Sequence, residues 1–548
     1  MRKLCRPGGR PGPGLARSVL TSSITVPNSS DKRSAFTVLL LTPLLAWLAF
    51  PPSRTPELAF VFAVPALWWA ARAPAWRLFA LTMLAASSVA WGVLIAWLHH
   101  VTAGGMVLLA VFLGCFTALW FLAARWALPR AGRAGPVAKV TTTVGLAGLW
   151  VVGEWVRSWL FTGFPWLPLA ATQWQRPMML TLCPYVGAYG VSFLLILVNL
   201  GLAAYLVRQT TARYDERRRW FAPELAAALV VLLAATFGLA RDFLGQRRAA
   251  WLRVGIVQPY IPQSLKWDPS AAQENLRILE RETARVAAGQ PDLVLWPESA
   301  VPYILKVQPQ LQGWFEAEAR SAGAPLLSGA VVMEDSGQPT ERWFNGAVVV
   351  DPEGGLQAQY YVKRHLVPFG EYVPLGRALC WMKKFVPIGD DFMPGRSAAP
   401  LIVSTHRAPV AAGVLVCYED VFPALARASA AAGAELLVNV TNNAWYGEGA
   451  AAYQHAAHSA LRAAETRRPL VRCGNGGWSG WFDEFGTMRE VLTDARGSVY
   501  YRGGGMVALT RDVRWIGRST PYVAHGDWFV AACAALALLA WARVRREN

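Results

Sequence analysis

The chain has 548 residues, of which 54% are hydrophobic, and a formal net charge of +18. This length allows more than one domain, and the apolar content is typical of a membrane protein rather than of an ordinary soluble enzyme. Many Lys and Arg residues lie in short segments between apolar runs, where they set membrane orientation, so the positive charge does not indicate a nucleic-acid partner.

The N-terminal segment, residues 1–34, is basic and rich in Gly and Pro, and it lacks the early apolar run and cleavage site of a secretory signal. We predict that it is a disordered cytoplasmic tail. Apolar runs beyond it predict about eight membrane-spanning helices. The runs are residues 35–50, 58–71, 78–98, 101–128, 140–160, 186–207, 225–240 and 529–544. The first two fall short of the ~20 residues that cross a bilayer, and proline interrupts or flanks them.

Basic residues cluster at alternate ends of these runs, as expected of cytoplasmic loops. The clusters are the N-terminal tail and residues 72–77, 125–139, 208–219 and 543–546. The region between the seventh and eighth runs should therefore face outward, although the pair Arg247 and Arg248 fits this orientation less well. The predicted organisation is a membrane bundle at 35–248, an extracytoplasmic catalytic domain at 249–522, and a C-terminal membrane helix with a cytoplasmic tail at 523–548.

The outward region reads as an α/β domain, because short β-branched or apolar runs alternate with helical patterns. Strands are predicted at residues 252–259, 292–298, 325–333, 346–354, 410–420, 435–443 and 469–475. Helices are predicted near residues 271–288, 310–322, 422–432 and 453–466. This alternation predicts a sheet architecture covered by helices.

Three reactive side chains follow predicted strands. They are Glu298 in LWPESA, Lys363 in YYVKRHLVPFGEYVP and Cys417 in GVLVCYED. Active sites assemble at strand ends. A cysteine there can attack a carbonyl, a glutamate can take its proton, and a lysine can stabilise the oxyanion. The alternatives without a catalytic role are a buried structural cysteine, a surface or helix-capping glutamate and an exposed lysine.

Glu, Lys and Cys in this order, with WPE and CYED around them, resemble the nitrilase or carbon-nitrogen hydrolase superfamily. GEWVRSWLFTGFPWLPLA, IPQSLKWD, HLVPFGEYVP, TNNAWYG and QHAAHSALRAAETRRPLVRCGN extend the resemblance to its membrane branch, the apolipoprotein N-acyltransferase family. The resemblance covers nearly the whole chain after the tail. It implies a nitrilase-like α-β-β-α sandwich beside a multi-pass helical domain. It also implies a bacterial inner membrane, with the catalytic domain on the periplasmic side.

The reaction implied by the resemblance is acyl transfer from a membrane phospholipid to a lipoprotein. The acceptor would be the N-terminal amine of the S-diacylglyceryl-cysteine, and the step would be the last in lipoprotein maturation. Cys417 would carry the acyl chain as a thioester, Glu298 would accept and return protons, and Lys363 would stabilise the oxyanion. The resemblance implies no cofactor, metal or nucleic acid, and we expect a monomer.

Further site residues are carried over one at a time from the resemblance. Tyr418 and Glu419 flank the nucleophile as active-site support. For Glu371 two roles stay open: direct participation as a second carboxylate, or structural pairing with Lys363.

Membrane-boundary residues are predicted to bind or gate the substrates. Trp267 and Trp445 match aromatic positions of the family, and amphipathic rings suit a lipid-water boundary. Glu154 and Arg157 lie three residues apart on one face of a predicted helix. An ion pair and binding of a lipid or lipoprotein head region both stay open for them.

The chain departs from the family pattern at several positions. Asn443 stands where the family commonly has Asp, and Trp478 and Trp481 stand where smaller residues are usual. These departures leave the shape of the substrate pocket open. Cys473 is predicted to be a core residue, although a disulfide with Cys380 stays open in an oxidising compartment.

Two other functions compete with the implied one. A membrane-tethered amidase could use the same three residues on a small amide, but a single anchor would be enough for it. A catalytically dead lipoprotein receptor is the non-enzymatic alternative, although all three reactive residues are present.

Overall fold

The computed structural model describes residues 29–211, 220–301, 304–305, 308–374 and 392–546. Cys380, basic residues 213 and 217–219, and the predicted tail as far as residue 28 lie outside the described residues. The longer helices are α1 Ser29–Ala49, α2 Val64–Ala71, α3 Trp76–Leu94, α4 Ala103–Ala131, α5 Pro136–Arg157, α8 Ala188–Thr210, α9 Pro223–Leu244, α11 Ala272–Ala287, α12 Pro309–Ala322, α13 Pro423–Ala431, α14 Ala450–Thr466 and α16 Trp528–Arg546. Four short helices complete the set: α6 Pro177–Leu180, α7 Cys183–Val186, α10 Gln263–Lys266 and α15 Pro521–His525.

Seven helices in the described part of the chain are long and apolar enough to cross a membrane. They are α1, α3, α4, α5, α8, α9 and α16. Each coincides with one of the predicted apolar runs. Helix α9 buries only 11% of its apolar window within the protein, as expected of a helix surrounded by lipid.

The second predicted run, residues 58–71, is the exception. It forms a 3-10 helix at Pro56–Phe60 followed by α2, and together they make an apolar segment of fewer than 18 residues. Pro56 and Pro65 each begin one of these pieces, because proline suits a first helical turn and breaks the interior of a helix. The segment is therefore shorter than the ~20 residues a spanning helix needs.

Two sheets form the region between α9 and α16. The strands are β1 Arg248–Gln258, β2 Leu293–Trp296, β3 Ile304–Leu305, β4 Leu326–Glu334, β5 Arg342–Asp351, β6 Gly355–Leu356, β7 Tyr361–Val362, β8 Leu401–Ser404, β9 Pro409–Val416, β10 Leu436–Thr441, β11 Leu470–Gly474, β12 Gly480–Phe482, β13 Met488–Val491 and β14 Gly503–Asp512. Among the described residues, one sheet has the order β14-β1-β2-β4-β5-β6, with β3 on β4 and β7 on β5. The other has the order β13-β12-β11-β10-β9-β8.

The sheets stack face to face between two layers of helices. Helices α11 and α12 cover the first sheet, and α13 and α14 cover the second. The parallel strands β1, β2 and β4 in one sheet and β9, β10 and β11 in the other are buried and mostly apolar, as strands covered on both faces should be. This α-β-β-α sandwich beside a membrane bundle confirms the predicted fold class. The predicted domain boundaries stay predictions.

Helix α14 joins the sandwich to the membrane bundle. Its Gln454 side chain is buried, and the amide oxygen accepts hydrogen bonds from the indoles of Trp97 and Trp166, each at 2.9 Å. The amide nitrogen donates to the carbonyl oxygens of Pro51 and Leu94, at 3.3 and 2.9 Å. A single amide thus ties α14 to three segments of the bundle.

Candidate active site

Glu298, Lys363 and Cys417 come together in the sandwich, each directly after a strand. Glu298 follows β2, Lys363 follows β7 and Cys417 follows β9. All three are buried, with exposed fractions of 7%, 1% and 5%. The alternatives of an exposed lysine and a surface glutamate are therefore wrong. The chemical roles of the three residues stay predictions.

Two glycines allow these strand ends to approach one another. A Cβ at Gly329 of β4 would lie 2.5 Å from the Glu298 Cα. A Cβ at Gly346 of β5 would lie 2.2 Å from the Tyr361 carbonyl oxygen, two residues before Lys363. Side chains at either glycine would push the Glu298 and Lys363 segments away from the sheet.

Cys417 occupies a sharp turn between β9 and the 3-10 helix Cys417–Val421. Its φ of +55° lies in the left-handed region that non-glycine residues seldom occupy. Such strained positions cluster at functional sites, where the surrounding structure holds them. Asn439 Nδ2 donates to the Cys417 carbonyl oxygen at 2.8 Å and helps to hold the turn.

Lys363 lies between two carboxylates. Its Nζ is 3.0 Å from Glu371 Oε1 and 3.4 Å from Glu298 Oε1. Asn345 Nδ2 donates to the same two oxygens, at 2.6 and 2.9 Å. Glu371 is further held by the Val367 backbone N–H at 2.8 Å. One ammonium and one amide thus fix both carboxylates.

The charges of this cluster follow from its burial and its pairing. Burial lowers the pKa of Lys363, but the neighbouring Glu371 and Glu298 outweigh it and hold that pKa well above its ordinary value. Burial raises the pKa of Glu298, but Lys363 and Asn345 outweigh it, so that pKa lies below its ordinary value. At neutral pH the cluster therefore contains an ammonium and an ionised Glu298.

The Cys417 thiol is protonated in this environment. Burial and the negative charge of Glu298 raise its pKa to about 12, against the opposing effect of Lys363. A buried thiol beside an ionised carboxylate needs that carboxylate as a general base before it can attack. The Lys363 ammonium can then stabilise the charge that develops on an attacked carbonyl.

Sequence reasoning missed three partners of Glu298. The Asn442 backbone N–H donates to Glu298 Oε2 at 3.0 Å, and Asn345 holds Oε1. Lys266, buried beside the predicted Trp267, donates from Nζ to the Glu298 carbonyl oxygen at 2.8 Å. Burial lowers the pKa of Lys266 to about 8, while Glu298 acts in the opposite direction. The motifs IPQSLKWD and TNNAWYG contain Lys266 and Asn442, so they were the detectable signals.

Glu419 links the Cys417 turn to the Lys363 segment. Its Oε1 accepts from the backbone N–H groups of Arg364 and His365, at 2.6 and 3.1 Å. Its Oε2 accepts from the Val416 N–H and from the Tyr361 hydroxyl, both at 2.7 Å. These bonds fix the nucleophile turn and the lysine relative to each other.

Tyr418 is buried on the other side of the turn. Its ring packs edge-to-face on Phe422 at 5.0 Å and lies 5.7 Å from the His365 ring. It is thus part of the packing around the nucleophile.

Trp267 and Trp445 lie at the surface, with 50% and 43% of their area exposed. Their segments are joined, because Asn442 Nδ2 donates to Gln263 Oε1 at 2.8 Å. Asn442 itself holds Glu298. The two exposed rings therefore stand on segments that contact the general-base candidate.

Glu154 and Arg157 are buried near the C-terminal end of α5 but form no direct ion pair, although both belong to the described residues. Glu154 Oε1 accepts from the Leu169 N–H at 2.7 Å. Arg157 Nη2 donates to the Leu167 carbonyl oxygen at 3.4 Å, and its guanidinium lies 4.7 Å from the Trp91 ring centroid. Both residues also line an apolar cavity of about 290 Å³ between the membrane helices. They hold the loop above the bundle, and their role toward substrates stays a prediction.

The remaining sequence departures are core residues. Trp478 and Trp481 are buried, and Trp478 stacks on Phe482 at 4.8 Å. Cys473 is buried in β11, where its thiol donates to the Val257 carbonyl oxygen at 3.4 Å. Its suggested partner Cys380 lies outside the described residues. Within the described part of the chain, no three His, Cys, Asp or Glu side chains are grouped to hold a metal ion.

Known proteins share both halves of this architecture. Residues 43–201 match the family described as apolipoprotein N-acyltransferase N-terminal domain, and residues 253–509 match carbon-nitrogen hydrolase. An amidase from Nesterenkonia sp. is a similar solved structure, with a TM-score of 0.36 and 20% identity over 52% of this chain and 97% of its own.

Curated relatives match along most of the chain. An apolipoprotein N-acyltransferase of Geobacter metallireducens is 32% identical over 521 residues, 94% of this chain and 96% of the relative. That of Methylococcus capsulatus is 34% identical over 449 residues, 81% of each chain. Such identity across both the membrane bundle and the sandwich confirms the resemblance drawn from the motifs. The chain belongs to the apolipoprotein N-acyltransferase family, a multi-pass membrane family of acyltransferases.

Proposed function

We propose that this protein moves an acyl chain from a membrane phospholipid to the N-terminal amine of the S-diacylglyceryl-cysteine of a lipoprotein, through a thioester on Cys417. The observation that carries the proposal is the buried cluster of the Cys417 thiol, the Glu298 carboxylate and the Lys363 ammonium, whose nitrogen lies 3.4 Å from Glu298 Oε1. The membrane bundle beside this cluster and the curated names of the relatives support a lipid donor and a lipoprotein acceptor.

In the first half-reaction the Cys417 sulfur attacks the ester carbonyl of the phospholipid, and Glu298 takes the thiol proton. The ammonium of Lys363 stabilises the tetrahedral oxyanion. The carbon-oxygen bond to the glycerol then breaks, and Glu298 returns the proton to the departing alkoxide of the lysophospholipid. The acyl chain remains on the sulfur.

In the second half-reaction the lipoprotein amine attacks the thioester carbonyl. Glu298 accepts a proton from the attacking amine, and Lys363 again stabilises the oxyanion. The carbon-sulfur bond breaks, Glu298 returns the proton to the sulfur, and the amide product leaves. Both half-reactions use the same two groups, so no further group from the protein is needed to balance protons.

The positions of the supporting residues fit this scheme. Glu371 fixes the Lys363 ammonium, and Glu419 fixes the distance between lysine and nucleophile. We propose that the exposed Trp267 and Trp445 contact or gate the substrates. The alternation of basic loops supports a bacterial inner-membrane location with the sandwich on the periplasmic side.

The test is to supply the donor without the acceptor. Full-length protein in detergent, incubated with phosphatidylethanolamine, should gain the mass of one acyl chain, mapped by peptide mass spectrometry to Cys417. A diacylglyceryl-cysteine peptide should then remove the adduct and become N-acylated. Cys417→Ala should form no adduct, whereas Cys473→Ala, which removes another buried thiol of the sandwich, should form it normally.

Two results would contradict the proposal. An N-acylated peptide made by Cys417→Ala would exclude the thioester. An adduct that is released to water and never to the amine would favour the amidase alternative.

A further inference from the structure

Two buried residues at the end of β10, Thr441 and Asn443, lie behind the Cys417 thiol and have no part in the reaction above. The Thr441 hydroxyl oxygen is 3.6 Å from Cys417 Sγ and 3.3 Å from Asn443 Oδ1. A hydroxyl has one proton, so it can donate to the sulfur or to the amide oxygen but not to both. The atom that Asn443 presents to Thr441 therefore decides whether the sulfur receives a hydrogen bond.

His455 limits what Asn443 can present. Its Nε2 is 2.8 Å from Asp420 Oδ1 and 3.2 Å from the Cys417 carbonyl oxygen, and both are acceptors, so Nε2 carries a proton. Burial, together with the charge of Arg472, lowers the pKa of His455 against the effect of Asp420. The ring is therefore neutral, and its Nδ1 is an acceptor.

The Asn443 amide accordingly turns its nitrogen toward His455. Nδ1 is 3.1 Å from the position of Asn443 Oδ1, and two acceptors cannot satisfy each other there. Asn443 Nδ2, as it stands, is buried without a hydrogen-bond partner. A half-turn of the amide brings the NH₂ group to the shared position, where one hydrogen reaches His455 Nδ1 and the other reaches Thr441 Oγ1.

We propose that Asn443, by donating to Thr441, directs the Thr441 proton to Cys417 Sγ, so that Thr441 is a catalytic hydrogen-bond donor and Asn443 is its positioning residue. The inference rests on the proposed role of Cys417 as the nucleophile. When the thiol proton moves to Glu298, the sulfur gains negative charge and accepts a stronger hydrogen bond from Thr441, which keeps its own proton. The same bond stabilises the sulfur when the thioester later breaks.

An aspartate at position 443 would reverse this arrangement. A carboxylate only accepts hydrogen bonds, so it would draw the Thr441 proton away from the sulfur. It would also favour a charged His455 ring that donates from Nδ1. With Asn443, the Cys417 sulfur therefore has one more hydrogen-bond donor than it would have with an aspartate at this position.

The test isolates the acylation of Cys417 as the burst of p-nitrophenolate that full-length protein releases from a short p-nitrophenyl ester. Thr441→Val keeps the shape of the side chain but removes the donor. It should slow the burst about tenfold or more, because a hydrogen bond to a charged acceptor contributes a factor of about ten to a hundred. Asn443→Asp should slow the burst by a similar factor.

Combining Thr441→Val with Asn443→Asp in a double variant distinguishes the proposed hydrogen bond from an effect of packing. Since both changes remove the same hydrogen bond, the double variant should be no slower than either single variant. Thr441→Ser, which retains the hydroxyl, should give a faster burst than Thr441→Val. The proposal would be overturned if the fold-reductions of the burst rate in the two single variants multiplied in the double variant. A Thr441→Ser burst as slow as that of Thr441→Val would overturn it as well.

Asn443→Asp decides the question even where Thr441→Val does not fold, because it leaves Thr441 in place. An undiminished burst in this variant overturns the proposal. A burst that survives in Cys417→Ala would instead overturn the proposed function, whatever the Thr441 variants do.

Discussion

Removal of the Lys363 ammonium should separate its contribution to stability from its contribution to catalysis. In Lys363→Met, Glu298 and Glu371 stay buried and bound to Asn345 at 2.9 and 2.6 Å, with no cation between them. Loss of one partner from a buried ion pair destabilises a protein by about 3–5 kcal/mol. Because one carboxylate can take up a proton to relieve the repulsion, this destabilisation should shrink as the pH is lowered.

The catalytic loss should be of a different kind. Without the oxyanion donor, acylation of Cys417 should slow about 10²–10³-fold, which corresponds to about 2.7–4 kcal/mol of transition-state stabilisation. The double variant Lys363→Met/Glu371→Gln removes one of the two like charges. It should regain much of the lost unfolding temperature but none of the acylation rate.

The measurements are thermal unfolding of the protein in detergent, followed by tryptophan fluorescence at several pH values, and the p-nitrophenolate burst per folded molecule. Acylation that recovers together with stability in the double variant would refute the oxyanion role and leave Lys363 as a structural partner. A burst in Lys363→Met within fivefold of the wild type would refute it as well.

Three further experiments test the roles assigned to Glu419, Glu298 and the two buried thiols. Glu419→Gln should lower both the unfolding temperature and the burst rate, because the carboxylate accepts four hydrogen bonds between the nucleophile turn and the Lys363 segment; an unchanged burst would contradict a positioning role. The burst rate should fall only at a pH below the pKa of a free glutamate, because the ionised form of Glu298 is required and the pKa of Glu298 is lowered; an acid midpoint above the pKa of a free glutamate would contradict this assignment. Cys473→Ala should keep the burst that Cys417→Ala loses, and a burst lost in both would show that the buried thiols are not distinguished by role.

The sequence was most informative where local patterns carry the structure. Seven predicted strands and four predicted helices of the sandwich correspond to observed elements, because alternating apolar runs and turn residues determine them locally. Residues 58–71 gave a less accurate prediction, since composition suggested a span while the prolines divided it into short pieces.

The partners of the reactive residues were harder to predict. Glu298 and Asn442 are 144 positions apart, and their hydrogen bond depends on how the two sheets stack. Glu298 and Asn345 are 47 positions apart, and their hydrogen bond depends on the strand order within the first sheet. No periodicity in either segment reports such a contact. Lys266 was overlooked for a different reason: a lysine beside an exposed tryptophan reads as surface, whereas its ammonium is buried against the Glu298 carbonyl oxygen.

The attachment of Gln454 to the membrane bundle determines where the chemistry can happen. The next residue, His455, contacts the carbonyl oxygen of Cys417. Two adjacent side chains of α14 thus connect the candidate nucleophile to the loops of the membrane bundle. Helix α14 is buried along nearly all of its length, and the sandwich cannot lift away without exposing it. The Cys417 sulfur therefore keeps a fixed distance from the membrane bundle, and under the proposed function the ester of the donor has to move to the sulfur.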